Sequence, residues 1–191
     1  MDDGPQWREL ADGVYTLAPF FDSARCTALI EETERDGYEA ATIATGGGAV
    51  RDADVRNNAR RIVDDAAQAA SLWSTLRPHV PPFLNGRQAI GLNERFRFYR
   101  YDPGERFAGH IDAPFRRDNG EQSLLTFMVY LNDDFDGGET TFRELSVRPV
   151  TGMALLFRHD IFHEGTAVRQ GRKYVLRSDV MFNPPGRVTM A

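Results

Sequence analysis

Cysteine is almost missing from this chain. Cys26 stands alone among 191 residues, so no internal disulfide can form, and a reducing compartment fits. Long apolar runs are missing too, as is a basic start followed by an apolar stretch. Neither a membrane span nor a signal peptide is therefore expected, and cytoplasm is the default location. There is no solenoid-length repeat and no long low-complexity tract, so the chain reads as one continuous unit. Nor is there an excess of positive charge. Acidic residues outnumber basic ones 28 to 23, a formal charge of -5. That balance argues against non-specific binding to nucleic acid or anionic lipid. Nothing in the sequence speaks to oligomeric state.

What is present is enough apolar material, 41% of residues, for one well-buried core, and the length suits a single domain over 1–191. From Asp22 the chain offers N-caps, then apolar positions at Cys26, Leu29 and Ile30, and stops near Gly37, which predicts a helix. A second helix is predicted from Asp64 or Asp65, with Ala66, Ala69, Ala70, Trp73 and Leu76 at helical spacing until Pro78. Between them Ala44 and the glycines Gly46, Gly47 and Gly48 open a polar run to Arg61 that reads as a long loop, either disordered or a lid. After Gly86 the texture changes to short apolar runs cut by glycine and proline. Strands are predicted at Leu92–Tyr101, Phe107–Asp112, Ser123–Leu131, Thr140–Glu144, Met153–Arg158 and Lys173–Phe182. Short strands with no helix between them predict a mainly β fold, a jelly roll (double-stranded β-helix) over 87–183, with helical support and the lid in 1–86 and a tail at 184–191.

His110 and Asp112 lie two apart, so on an extended segment both side chains leave one face. One ion can take both. His163, after the Met153–Phe157 run and before Gly165, is the best third ligand. Two imidazoles and a carboxylate on one side of an ion leave positions open, as in non-haem iron(II) oxygenases. The plainer alternative makes His110 a surface residue paired with Asp112 and His163 a hydrogen-bonded turn residue. His159 and Asp160 are adjacent decoys, and His159 and His163 would share a face on a helix, but the alternating run before them favours a strand and discounts a helical zinc pair.

In the last strand Lys173, Val175, Arg177 and Asp179 share one face, while Tyr174, Leu176, Val180 and Phe182 fall mainly on the other. The charged face either meets water or lines a pocket, and a pocket lysine needs an anionic ligand. Thr126, Met128 and Tyr130 also share a face, so a hydroxyl and a phenol are expected beside Lys173, ordinary sheet packing being the alternative.

With these residues, the sequence from Gly91 to Phe182 resembles the prolyl-4-hydroxylase-like branch of the iron(II)/2-oxoglutarate-dependent dioxygenases. The resemblance rests on Arg97-Phe-Tyr-Arg-Tyr101, His110-Ile-Asp112, Tyr130-Leu-Asn-Asp, Gly137-Gly-Glu-Thr-Thr-Phe142, His163-Glu-Gly and Gly171-Arg-Lys-Tyr-Val-Leu-Arg-Ser-Asp179. It implies that His110, Asp112 and His163 bind Fe(II), and that Lys173 binds the distal carboxylate of 2-oxoglutarate. It places Tyr101, Tyr130 and Thr140 around that pocket and makes O2 the second co-substrate. Arg97, Arg177 and Asp179 are then candidate substrate contacts, with structural salt bridges as the alternative. Arg97, Arg100 and Arg177 together suggest an acidic or carboxylate-bearing partner. Nothing resembles the peptide-binding domain of collagen-type prolyl hydroxylases, so a prolyl or other amino-acid side chain and a small molecule both stand as substrates. The rivals are a jelly-roll metalloenzyme of another class and a non-catalytic sensor of metal or keto acid.

Overall fold

The structure is a computed structural model that describes residues 4–45, 48–50, 52 and 54–186. Both predicted helices form where their caps place them. Helix α1 spans Ser23–Asp36; Asp22 accepts from the Arg25 amide at 2.7 Å, and Gly37 ends it at φ 87°. Helix α2 spans Ala66–Leu76, with Asp65 accepting from the Gln68 amide and Pro78 in the short 3-10 turn that follows.

The remainder is mostly strand. Ten strands make the larger sheet: β1 (Gln6–Ala11), β2 (Val14–Ala18), β3 (Glu39–Ala40), β6 (Ala59–Asp64), β7 (Phe83–Leu84), β8 (Arg87–Leu92), β9 (Arg95–Tyr101), β11 (Gln122–Tyr130), β15 (Ala154–Arg158) and β18 (Lys173–Phe182). Their order is β1-β2-β15-β11-β18-β9-β6-β3, with β8 also on β18 and β7 on β8. The smaller sheet holds β10 (Phe107–His110), β16 (His163–Gly165), β13 (Thr140–Phe142) and β14 (Ser146–Val147) in the order β10-β16-β13-β14. Two isolated pairs remain, β4 (Ile43–Thr45) with β5 (Gly48–Val50), and β12 (Asp136–Gly137) with β17 (Val168–Gln170). All pairings between these strands are antiparallel, the two-sheet arrangement expected of a jelly roll.

The alternation in β18 decides which side becomes core. Tyr174, Leu176, Val180 and Phe182 are buried together with Cys26, Leu72 and Leu76 of the helices, so the helices cover one face of the larger sheet. Val175 of the other face joins Tyr99, Tyr101, Tyr130, Leu155 and Phe157 in a second cluster facing the smaller sheet. Lys173 and Asp179 on that face are 3% exposed, which removes the reading in which this charged side simply meets water.

Three expectations change. Residues 1–86 are not mainly helical: a hairpin, β1-β2, turns at Asp12-Gly13, where Gly13 has φ 73°, and its second strand pairs with β15. The polar run to Arg61 is not all loop, because its end becomes β6, paired with β9 from Ala59↔Arg100 to Asp64↔Arg95. Of the proposed lid, Gly46 and Gly47 lie outside the described residues, as do 187–191 of the tail, while Gly48 opens β5. Finally, the predicted strand Leu92–Tyr101 breaks after Leu92. There Asn93, fully buried, donates its amide to the Asp179 carbonyl and accepts from the Arg95 amide at 3.1 Å, separating β8 from β9.

Candidate metal and co-substrate site

Strand pairing brings the three predicted metal ligands together. His110 ends β10 and faces His163 of β16 directly across the ladder, with ring centroids 4.3 Å apart. Asp112 follows two residues on, and its amide donates to the His159 carbonyl at 3.0 Å. One ligand atom from each of His110, Asp112 and His163 lies within 4.8 Å of the others. His110 Nε2 is 3.5 Å from Asp112 Oδ1, and His163 Nε2 is 3.7 Å from Asp112 Oδ2.

The rings are oriented for ligation. His110 Nδ1 donates to the Ala108 carbonyl at 2.8 Å and His163 Nδ1 to the Ile161 carbonyl at 3.0 Å. A carbonyl only accepts, so each proton sits on Nδ1 and each Nε2 turns a lone pair toward Asp112. His110 Nε2 is buried and has no hydrogen-bond partner among the described residues. A buried acceptor left so is costly, and a cation satisfies it. Burial also brings the His163 pKa down to about 4, which keeps the ring neutral at neutral pH. Burial raises the Asp112 carboxyl, but Arg177, His110, His163 and Thr126 outweigh it and hold it well below the usual carboxylate range. The donor set is that of an iron(II) facial triad, and the residues fit the ion.

Thr126 lines the same pocket as Lys173, and its hydroxyl donates to Asp112 Oδ2 at 2.5 Å, so it fixes a candidate metal ligand. Arg177 does the same from β18, its Nη2 lying 2.9 Å from that oxygen. Arg177 Nη2 is also 3.5 Å from Asp179, which Arg97 meets at 3.0 Å and His159 at 3.6 Å. Burial pushes the Asp179 carboxyl up, but His159, Arg177 and Arg97 bring it down to about 2. Arg97, Arg177 and Asp179, expected as substrate contacts, are thus engaged with one another and with Asp112. For Arg97 and Asp179 the structural salt bridge is the role the geometry supports; Arg177 additionally lines the pocket.

Lys173 begins β18, 3% exposed, with Nζ donating to the Gly138 carbonyl at 2.7 Å. Its Nζ lies 5.2 Å from the Tyr101 ring centre and 5.5 Å from that of Tyr130. Tyr130 donates to Thr140 Oγ1 at 2.7 Å, closing this end of the pocket. No carboxylate lies within salt-bridge distance of Lys173 among the described residues, and burial brings its pKa down to about 7 despite some pull from Glu139. An ammonium so placed is short of an anion. The same pocket is lined by Tyr101, His110, Thr126, Thr140, His163, Lys173 and Arg177. The neighbouring Arg172 turns outward to Asp102 and Tyr174. Arg100 also lies elsewhere, paired with Glu34 and Asp102.

Sequence reasoning missed several neighbours. His159 was discounted as a decoy, yet it is 6% exposed beside Asp179. Tyr99 and Phe107 line the pocket, and Arg56 packs over both rings at 4.2 and 4.4 Å. The alternation Arg97, Tyr99, Tyr101 along β9 could have found Tyr99. No local signal marks Arg56.

The comparisons with known proteins agree with this chemistry. The profile of the 2OG-Fe(II) oxygenase superfamily matches residues 96–178. A probable prolyl 4-hydroxylase 3 of Arabidopsis thaliana is 23% identical over 209 residues, covering 90% of this chain and 71% of that protein. Among solved structures, a Pseudomonas putida prolyl-4-hydroxylase aligns with TM-score 0.66 and 21% identity over 91% of this chain and 94% of its own. The prolyl hydroxylase of Trichoplax adhaerens, solved with a hypoxia inducible factor peptide, aligns with TM-score 0.70 and 16% identity over 89% and 84%. The viral collagen prolyl hydroxylase of Paramecium Bursaria Chlorella virus-1, solved with 2OG, aligns with TM-score 0.62 and 18% identity over 92% and 99%. The triad and the lysine thus lie within a core, residues 96–178, that matches the 2OG-Fe(II) oxygenase superfamily, and the chain has a fold of the prolyl-hydroxylase kind.

Proposed function

We propose that the chain hydroxylates a C–H group of a peptidyl or small-molecule substrate, consuming 2-oxoglutarate and O2 and releasing succinate and CO2. The observation that carries this reading is the shared pocket: a buried lysine without a carboxylate partner faces the same space as the His110, Asp112 and His163 donor atoms. When bound, iron(II) with its keto acid supplies the oxidising chemistry. The protein's own contribution is orientation, charge and exclusion of water. His110 and His163 present their Nε2 atoms to the site because backbone carbonyls hold their Nδ1 atoms. Asp112 presents its Oδ1 because Thr126 and Arg177 occupy Oδ2. Lys173 would hold the distal carboxylate, with Tyr101 and the Tyr130–Thr140 pair shaping that end.

The prolyl hydroxylase relatives make a prolyl side chain the first substrate class to test, beside free amino acids and other small molecules. The experiment is an anaerobic titration of the protein with Fe(II) and 2-oxoglutarate, followed by O2 and mass spectrometry for succinate and a gain of one oxygen in candidate substrates. His110→Ala should make no succinate, and Lys173→Ala should need about tenfold to a hundredfold more 2-oxoglutarate, the worth of a charge-assisted bond. Full turnover in His110→Ala, or unchanged 2-oxoglutarate demand in Lys173→Ala, overturns the reading. Tight metal and 2-oxoglutarate binding with no succinate from any substrate would favour a sensor.

A further inference from the structure

More positive charge surrounds the pocket than the reaction's own reagents match. Three basic side chains border it or stack on its wall, Arg56, Lys173 and Arg177, and Arg97 lies behind them on Asp179. Two buried carboxylates, Asp112 and Asp179, answer them. A divalent iron and the dianion of 2-oxoglutarate cancel, so loading the site leaves the excess in place. Asp179 takes Arg97, Asp112 takes Arg177, and the distal carboxylate is assigned to Lys173. Arg56 is left over.

Arg56 is 5% exposed, and among the described residues no carboxylate lies within salt-bridge distance of it. Asn58 Oδ1 accepts from its Nε at 2.7 Å and fixes the plane of the guanidinium. Among the described residues its buried Nη2 has no hydrogen-bond partner. The group lies over the Tyr99 and Phe107 rings, both of which line the pocket. Stacking on rings recovers part of the cost of burying this charge, but it does not supply a counter-ion. The charge is felt at the wall. Burial alone would raise the Tyr99 phenol, yet Arg56, Arg177 and Arg97 hold it below its ordinary value. Arg177 keeps a second unsatisfied donor there, its buried Nε.

We infer that the substrate of this enzyme carries a carboxylate, which is drawn to the wall of Tyr99 and Phe107 by the unmatched charge of Arg56. The inference rests on the oxygenase reading above and deepens it. In a water-poor cleft an excess of one sign raises the local concentration of the opposite one, so selection for an acid precedes any direct contact. The carboxylate has two sources, the terminal group of a free amino or organic acid, or an acidic side chain beside the reacting residue of a peptide.

The test is a binding titration under argon. The protein is loaded with Mn(II) in place of Fe(II) and with saturating 2-oxoglutarate. Matched acids and amides are the probes: L-proline against L-prolinamide, 3-phenylpropionate against its amide, and a doubly blocked Pro-Asp dipeptide against its Pro-Asn counterpart. At least one acid should bind about tenfold more tightly than its amide, the worth of one charge-assisted hydrogen bond. The pair that shows it identifies the source. Arg56→Gln should erase that preference with 2-oxoglutarate affinity nearly unchanged, and Arg56→Lys should restore part of it. No preference in any pair, including no binding by any probe, overturns the inference, as does a preference that survives Arg56→Gln. The wild-type comparison decides alone if the glutamine variant does not fold. Failure of 2-oxoglutarate itself to bind the Mn(II) protein would instead strike the oxygenase reading.

Discussion

At the scale of single residues, burial does most of the chemical work. Lys173 is the only lysine among 23 basic residues, and among the described residues no carboxylate lies within salt-bridge distance of it. With its pKa brought down to about 7, the ligand-free site holds a protonated amine below that pH and a neutral one above it. A bound dicarboxylate favours the charged form and returns the pKa toward its ordinary range. Binding of 2-oxoglutarate should therefore take up about one proton near pH 8 and almost none near pH 6. Calorimetric titration in two buffers of different ionisation heat measures this; equal uptake at both pH values would contradict the assignment. Thr126 offers a second case, since its hydroxyl is donated to Asp112 Oδ2. In Thr126→Val, which keeps the shape and removes that donor, metal affinity should fall about tenfold to a hundredfold, as for other partners of metal ligands. A metal titration with a parallel thermal melt separates that loss from unfolding.

At the scale of elements, turns set the distances that strands alone do not. The turn after β12 carries Gly138 at φ 67°, whose carbonyl accepts from Lys173 Nζ. A Cβ built there would lie 2.9 Å from the Phe135 ring and 3.1 Å from Lys173 Cδ. Gly138→Ala should cost about 1–2 kcal/mol for the left-handed backbone and weaken 2-oxoglutarate binding by displacing the lysine stem. A melt and a 2-oxoglutarate titration on the same sample check both effects. The elements also show which parts of the design were legible. The parity of β18 could be read directly, because an alternating run of ten residues carries its own period: Leu176 and Phe182 went to the core, and Lys173 and Arg177 to the pocket. The cap residues Asp22 and Asp65 were legible for the same local reason. Strand β6 was not, since its polar sequence becomes a strand through pairing with β9, more than thirty residues away. Arg56 and His159 escaped for a related reason. Their meaning comes from Tyr99, Phe107 and Asp179, which only the folded chain places beside them.

At the scale of the whole molecule, the site is a joint between the two sheets. His110 and His163 belong to the smaller sheet, while Thr126, Lys173 and Arg177 project from central strands of the larger one. Asp112 links them, held by Thr126 and Arg177 from one side and set beside both histidines on the other. An ion bound by the triad, with a dicarboxylate running from it to Lys173, would add a further tie between two layers already joined by apolar contacts and by bonds such as Tyr130 to Thr140. The unfolded chain cannot assemble this pocket, so ligand binding must raise the stability of the fold. With Mn(II) and 2-oxoglutarate each at about 100 times its dissociation constant, each binding step contributes about 2.7 kcal/mol. For a domain of this size each kcal/mol moves the melting temperature by about 2–4 °C, so the pair should raise it by about 10–20 °C. Lys173→Ala should keep the increment due to the metal and lose most of that due to 2-oxoglutarate. His163→Ala should lose the metal's increment and, with it, most of the keto acid's. A 2-oxoglutarate increment of full size in His163→Ala without metal would mean that the dicarboxylate is held by Lys173 alone, and that the two halves of the pocket act separately.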